Sequence, residues 1–354
     1  MANITTYDTF TTVEDPITDW TKSAGVDDFA ASGGVAVPGL RTEDEAMSYA
    51  GIDKPTTADH RAKVTINFST LGKLGLYARL ATAGDLASDH IRGDVTPGAS
   101  VAPAFTAPDT FQIIERVANV ETPITPSNTA SGVHALYPAW DATAKTFSLR
   151  ADRLTTGDTI ELQVIDKQVI VKVNDIIRAH EQCAVDQAGS VGLINYANAS
   201  ADNTYDNFKG GDMIGRYVAT TGLDANSGLE GAPWLTIGKG GTAQAAGEVC
   251  FVQAGTYSEN LTWTAGIAGR PRTGVTGLED TVMLIAKAGD FVENASFVPW
   301  AISNGADQDL RYMYSYNITY RASTGINSCI KIPNFFSAAS YGHVFQGCGI
   351  YDSE

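Results

Sequence analysis

From about residue 60 to 210 the chain alternates polar and apolar positions with period two. Lys63-Val64-Thr65-Ile66-Asn67-Phe68 puts its apolar side chains on one side of an extended strand, and Leu74, Leu76 and Ala78 share one face of the next. The clearest pair of strands is Ile160-Glu161-Leu162-Gln163-Val164-Ile165 and Gln168-Val169-Ile170-Val171-Lys172-Val173. Only Asp166-Lys167 separates them, which is the length of a tight hairpin turn. Asn174-Asp175 turns the chain into Ile176-Ile177-Arg178, and two closing strands are predicted around Gly189 to Tyr196 and Tyr205 to Phe208. The stretch from Gly84 to Asp109, rich in Gly, Pro, Ala and Asp, reads as a long surface loop or insertion. Many antiparallel strands joined by short turns predict a sandwich.

After Gly210-Gly211 the pattern changes. Strand signals become sparse, and one short helix is predicted within Pro233 to Ala246, with Pro233 suited to a first turn and Gly238, Gly240 and Gly241 weakening the later turns. Short β-runs then recur at Val249-Cys250-Phe251-Val252, Thr281 to Ile285, Tyr312 to Tyr320, Cys329 to Ile332 and Val344-Phe345. Such recurrence fits a solenoid whose coils differ in loop length. The reading is therefore two domains, residues 1–212 and 213–354, in an all-β chain.

Composition narrows the function classes. The 354 residues carry 24 Lys+Arg against 40 Asp+Glu, a formal charge of -16, which disfavours a sequence-independent grip on nucleic acid. The N-terminal residues carry no basic and apolar signal pattern, and no apolar run has the length of a membrane span. A protein made in a cytoplasm, without membrane insertion, is expected. The four cysteines (Cys183, Cys250, Cys329, Cys348) are too few and scattered for a disulfide framework or a zinc finger.

Two resemblances rest on ordered sets of residues. Tyr7-Asp8-Thr9-Phe10 followed by Trp20, the strand pair Asp158–Val164 and Val169–Asp175, then Gly189-Ser190-Val191-Gly192-Leu193 and Tyr205-Asp206-Asn207-Phe208 resemble the concanavalin A-like, laminin-G-like jelly roll. Tyr217 to Gly228, Ala232 to Ile237, Ala246-Gly247-Glu248-Val249 and Val252 to Glu259 resemble the start of a pectin-lyase-like right-handed parallel β-helix with an N-terminal helical cap. The resemblances imply an antiparallel jelly-roll sandwich followed by a short right-handed parallel β-helix. The roughly one hundred residues after Glu248 suffice for four or five coils, and the last residues resemble no cap. Open strand edges there invite pairing, so a homo-oligomer, a trimer, is expected.

Candidate chemistry is thin. Enzymes on β-helices place acid and base carboxylates on neighbouring coils, for which Asp290, Glu293, Asp307, Asp309 and Asp352 qualify by position. In so acidic a chain, solvated loop carboxylates explain the same residues. Four or five coils also make a wall of only roughly 20 Å, short for gripping a long glycan. Trp20, Trp140 and Tyr196 could stack on a sugar, although large aromatics more often pack. Asp27-Asp28 and Glu43-Asp44-Glu45 could hold Ca²⁺, or form an acidic solvated face. His60, His90, His134, His180 and His343 lack zinc-ligand spacing, and Arg92-Gly93-Asp94 spells an adhesion tripeptide short enough to arise by chance. No catalytic, cofactor or metal residue is assigned.

A jelly roll joined to β-helix coils is similar to modular proteins on the outside of tailed bacteriophages, an analogy of architecture. It implies a non-enzymatic structural protein of the virion exterior (capsid decoration, head fibre or tail/baseplate component), with other virion proteins as partners and host-surface glycan adhesion as a further role. The competing reading is a tailspike-like polysaccharide depolymerase, a hydrolase or lyase.

Overall fold

The computed structural model describes residues 5–8, 20–22, 30–32, 35–37, 45–49, 55–68, 73–83, 87–96, 100–101, 104–105, 110–124, 133–135, 138–141, 146–151, 154, 156–174, 176–196, 203–244, 248–263, 282–296, 300–302, 313–322, 330–331, 344–346 and 348–351. The chain divides into two compact units, Ile4–Asp212 and Met213–Glu354, the latter grouped with Met1–Asn3.

The first unit holds two eight-stranded antiparallel sheets among the described residues. One runs in the order Ile176–Gln182, Gln168–Val173, Thr159–Ile165, His60–Phe68, Asn203–Asp212, Val35–Val37 and Ala30–Ser32, with Thr5–Asp8 also paired to Asn203–Asp212. The other runs Val120–Pro123, Thr110–Val117, His90–Thr96, Leu74–Leu80, Ser190–Asn195, Glu45–Tyr49 and Trp20–Lys22, with Val133–Ala135 also paired to Thr110–Val117. Their facing sides share one core. Ala62, Val64, Ile66, Leu162, Val171 and Phe208 of the first sheet pack with Leu74, Leu76, Ala78, Ile91, Phe111 and Leu193 of the second. Period-two alternation produces this directly, because every second side chain of a strand leaves by the same face. The result is an antiparallel two-sheet sandwich of the jelly-roll kind.

The predicted hairpin forms in the predicted register, with Ile165 opposite Gln168 and Ile160 opposite Val173. Asp166 at the turn takes φ 49, a conformation that aspartate tolerates better than most residues. The loop expected from Gly84 to Asp109 requires correction. His90–Thr96 within it is an interior strand, paired with Leu74–Leu80 on one side and Thr110–Val117 on the other. Ile91 and Val95 join the core, and a Cβ at Gly93 would meet Val171 and Leu162, so these three face inward. The polar residues between them conceal the strand in the sequence.

Among the described residues the second unit contains three small parallel sheets. Gly215–Val218, Val249–Val252, Val282–Ala286, Met313–Tyr316 and Val344–Gln346 form one. Gly255–Tyr257, Val292–Ser296, Ile318–Ala322 and Ile350–Tyr351 form the second, and Thr262–Trp263, Trp300–Ile302 and Ile330–Lys331 the third. The chain visits the three sheets in turn and returns to pair in parallel: Gly215 with Val249, Val249 with Met283, Met283 with Tyr314, Tyr314 with Val344. Val218, Cys250, Val252 and Leu284 of the first sheet and Val292, Ile318 and Tyr320 of the second share a core. The single run expected over Tyr312 to Tyr320 is two strands that change sheet at Asn317, whose φ of 55 makes the corner.

The helix expected within Pro233 to Ala246 spans Ile237–Ala243, and Pro233 lies ahead of it rather than in its first turn. Thr236 is the N-cap, its hydroxyl accepting from Lys239 N at 3.1 Å. The Glu259 carboxylate accepts from Ile237 N at 2.7 Å and Gly238 N at 2.9 Å, so two more free amide groups are satisfied from outside the helix.

Candidate functional site

Among the described residues the sandwich buries charged side chains in three networks, the first two on the outward sides of its two sheets. On the first sheet, Glu161 lies opposite Lys172 on one neighbouring strand and Lys63 on the other. Arg61 Nη1 approaches Glu161 Oε1 at 3.7 Å, and Gln163 Nε2 donates to the same oxygen at 2.7 Å. All five side chains are buried. Burial opposes the charge on Glu161, but Lys172, Arg61, Lys63 and the Gln163 amide outweigh it and hold the carboxyl below its ordinary range.

On the second sheet Asp94 is fully buried and is reached by three groups. Arg92 Nε lies 2.9 Å from Oδ1, Lys73 Nζ lies 3.2 Å from Oδ2, and the Tyr196 hydroxyl donates to Oδ1 at 2.6 Å. The far edge of the Arg92 guanidinium donates to both oxygens of Glu121, at 3.1 and 3.2 Å, and Arg116 donates to the same carboxylate at 2.8 Å. Lys73 Nζ sits 3.9 Å over the Tyr196 ring. Tyr196, read from sequence as a stacking platform, therefore has its hydroxyl engaged and an ammonium over one ring face. Arg92-Gly93-Asp94 lies in a strand, with its two charged side chains buried against each other.

A third network closes one end of the sandwich around Arg79, which is fully buried and holds φ 57. Its guanidinium donates to Ala58 O at 2.7 Å, to Val185 O and to Asp59 Oδ1 at 3.1 Å, and lies 3.6 Å from Asp186. Its backbone N–H donates to His60 Nε2 at 2.9 Å, and His60 Nδ1 lies 3.0 Å from Thr57 O. His60 is thereby held neutral with its proton on Nδ1, and burial drives its pKa down to about 4. These contacts tie strands of both sheets to the segment 183–190, which is a structural role. Nothing in the local sequence marks Arg79, since its partners lie far away along the chain.

Of the carboxylates proposed for β-helix chemistry, Asp290 and Glu293 are described, and each is engaged by a different partner. Asp290 Oδ2 accepts from Ala254 N at 2.8 Å, which fixes a corner. Glu293 Oε1 lies 2.8 Å from Arg321 Nε. Asp307, Asp309 and Asp352 lie outside the described residues, as do Asp27, Asp28, Glu43, Asp44, His343 and Cys329. Trp20, Glu45, His134 and Trp140 fall in described strands, but their side chains lie outside the description. Among the described residues no group of three or more His, Cys, Asp or Glu is placed to hold a metal ion. His90 and His180 are buried, and burial lowers the pKa of each. Cys183 and Cys250 are buried free thiols; burial pushes Cys183 up to about 12 and raises Cys250 as well, which disfavours the thiolate of each. Cys348 donates to Ser315 O at 3.3 Å.

No protein-family model matches the chain, and no curated protein matches it. Solved structures similar to it include a carbohydrate-binding module, CBM66, from Bacillus subtilis, at 10% identity and a TM-score of 0.35, covering 57% of this chain and 100% of that one. A protein of unknown function with a galectin-like fold, also from Bacillus subtilis, is similar at 9% identity and a TM-score of 0.37, covering 56% and 94%. A β-glucanase from Bacillus licheniformis is similar at 8% identity and a TM-score of 0.35, covering 60% and 97%.

Proposed function

We propose that the chain is a non-enzymatic structural protein of a bacteriophage virion exterior, a capsid decoration, head fibre or tail/baseplate component that also adheres to host-surface glycan. The observation that carries this reading is the architecture, an antiparallel sandwich followed by a parallel stack whose strands return to the same three sheets. On this reading the three sheets are the walls of a short right-handed parallel β-helix, and the helix Ile237–Ala243 caps its first coil. The spacing between paired strands, roughly thirty residues, suits a solenoid repeat. Such a stack is a rigid spacer, because each coil rests only on its neighbours.

The structural roles of Asp290 and Glu293 favour this reading over a polysaccharide depolymerase. A homotrimer within the virion is part of the proposal. Ile350, in register with Tyr320, is half exposed, and a neighbouring subunit would cover it. The deciding experiment is purification of particles followed by quantitative mass spectrometry of this chain. A copy number matching capsid or tail symmetry supports the proposal, and absence from particles overturns it. Reducing-end release from a host glycan by the purified chain would select the depolymerase, and light scattering that finds a monomer would remove the trimer.

A further inference from the structure

The second parallel sheet of the C-terminal unit turns one side of each strand inward. Val292, Asn294, Ile318, Tyr320 and Ala322 are buried there, so the alternate residues face outward. Those residues form two rows in parallel register. Thr256, Glu293 and Thr319 stand in one, and Ala295, Arg321 and Tyr351 in the next.

Two of them are unusually open. Tyr351 is 54% exposed and Arg321 is 55% exposed, in a chain that buries most of its described aromatic rings and several of its cations. They are also fixed relative to one another. Glu293 Oε1 holds Arg321 Nε at 2.8 Å, and the guanidinium carbon lies 5.6 Å from the Tyr351 ring centre. The ion pair orients the guanidinium across adjacent strands, while the ring offers an apolar surface to solvent.

From this arrangement we propose that the outward face carrying Thr256, Glu293, Thr319, Arg321 and Tyr351 is a binding platform for an uncharged oligosaccharide. A sugar ring presents one apolar C–H face beside a rim of hydroxyls. Tyr351 supplies the stacking surface, Arg321 supplies N–H donors, and the two threonines supply hydroxyls that donate or accept. Glu293 cancels the charge of Arg321, so the platform offers no net attraction to an anionic chain. Adjacent strands about 4.8 Å apart set these groups at the scale of a sugar ring. Glu293 thereby becomes a positioning residue for the guanidinium rather than an acid catalyst. The inference rests on the glycan-adhesion part of the proposed function and assigns it a place and a ligand class.

The test uses the full chain with uncharged hexasaccharides of glucose, galactose, mannose and N-acetylglucosamine as probes, measured by isothermal titration calorimetry. At least one should bind with a dissociation constant below a millimolar. Tyr351→Ala should weaken that binding at least tenfold while Tyr351→Phe stays within twofold, since the ring and not the hydroxyl carries the contact. Arg321→Ala should weaken it about fivefold, and Glu293→Gln by less, with unchanged circular dichroism in every variant. Absence of binding by the parent chain overturns the proposal, as does binding that Tyr351→Ala leaves intact. A preference for sulfated or carboxylated glycans that disappears in high salt would overturn it equally. Particles that contain the chain while the purified chain binds no saccharide would sink this inference alone. Saccharide binding by a chain absent from particles would sink the virion reading and leave the platform standing.

Discussion

His60 shows how a single buried side chain sets a pH dependence. Its Nδ1 donates to Thr57 O and its Nε2 accepts from Arg79 N, so a second proton would face an N–H donor. Burial, the largest cause, lowers the pKa from 6.5 to about 4. The unfolded chain takes up a proton as pH falls through 6.5 and the folded chain does not until about 4. Stability from this group is therefore full above pH 6.5 and is lost towards pH 4, by about 3 kcal/mol at the lower limit. His180, lowered to about 3, acts in the same direction. Asp59 opposes them: burial raises it to about 6, and the cost of keeping it charged is relieved as pH falls through that value. Urea midpoints of the parent chain should fall between pH 7 and 4.5, and His60→Gln should flatten part of that fall. Parallel slopes for the two proteins would show that His60 is not the neutral acceptor described. Asp94 provides a second residue-scale test. Asp94→Asn removes the buried charge that Arg92 Nε and Lys73 share and leaves Arg92 with Glu121 alone, which should cost about 3 kcal/mol in urea unfolding. Tyr196→Phe, which removes one hydrogen bond to the same carboxylate, should cost only about 1 kcal/mol.

At the scale of elements, the helix Ile237–Ala243 sets propensity against packing. Its sequence Ile-Gly-Lys-Gly-Gly-Thr-Ala is poor in helix formers, and alanine in place of an internal glycine ordinarily gains about 1 kcal/mol. Gly240 should reverse that rule. A Cβ there would sit 2.8 Å from Val218 Cγ2 and 2.9 Å from Cys250 Sγ, both in the core. Gly240→Ala should therefore destabilise by about 2 kcal/mol, read as a lower Tm. Thr236→Ala, which removes the N-cap hydroxyl, should cost about 1 kcal/mol in the same assay. The glycines that make this helix hard to predict are thus what let it lie against the first strands of the stack. Legibility elsewhere divides in the same way. The hairpin from Ile160 to Val173 is readable because alternation and a two-residue turn agree. His90–Thr96 is not, because Arg92 and Asp94 carry the charge expected of a loop, and their partners include residues as distant as Tyr196 and Glu121. Asn317 is hidden inside an apolar run, where one left-handed residue is enough to pass the chain from one sheet to the next. The Tyr351 platform could not be read from any local motif, since only parallel register brings Glu293, Arg321 and Tyr351 to one face.

At the scale of the whole molecule, each unit has its own core among the described residues. Among the described residues, the cluster built on Ala62, Leu76, Ile91 and Leu162 draws only on residues of the sandwich, and the cluster built on Val218, Cys250, Leu284 and Ile318 only on the second unit. Burial of this kind is the main source of stability, so the sandwich should not need the stack in order to fold. Where the chain is cut matters, because the last residue of the sandwich is a clasp. Asp212 Oδ1 accepts from Thr56 N at 2.9 Å, Thr57 N at 3.0 Å and Thr57 Oγ1 at 2.9 Å, and its Oδ2 accepts from Thr56 Oγ1 at 2.9 Å. This carboxylate pins the segment entering the His60–Phe68 strand to the end of Asn203–Asp212. A fragment of residues 4–212 should unfold in urea as one cooperative transition, followed by circular dichroism. In that fragment Asp212→Ala should lower the stability by about 2 kcal/mol, the scale of charge-assisted hydrogen bonds at a partly exposed site. The full-length chain should show the same loss in the transition of its sandwich. A fragment 4–212 without a cooperative transition would mean that the sandwich draws on the stack for stability, and the two units would then have to be treated as one folding body.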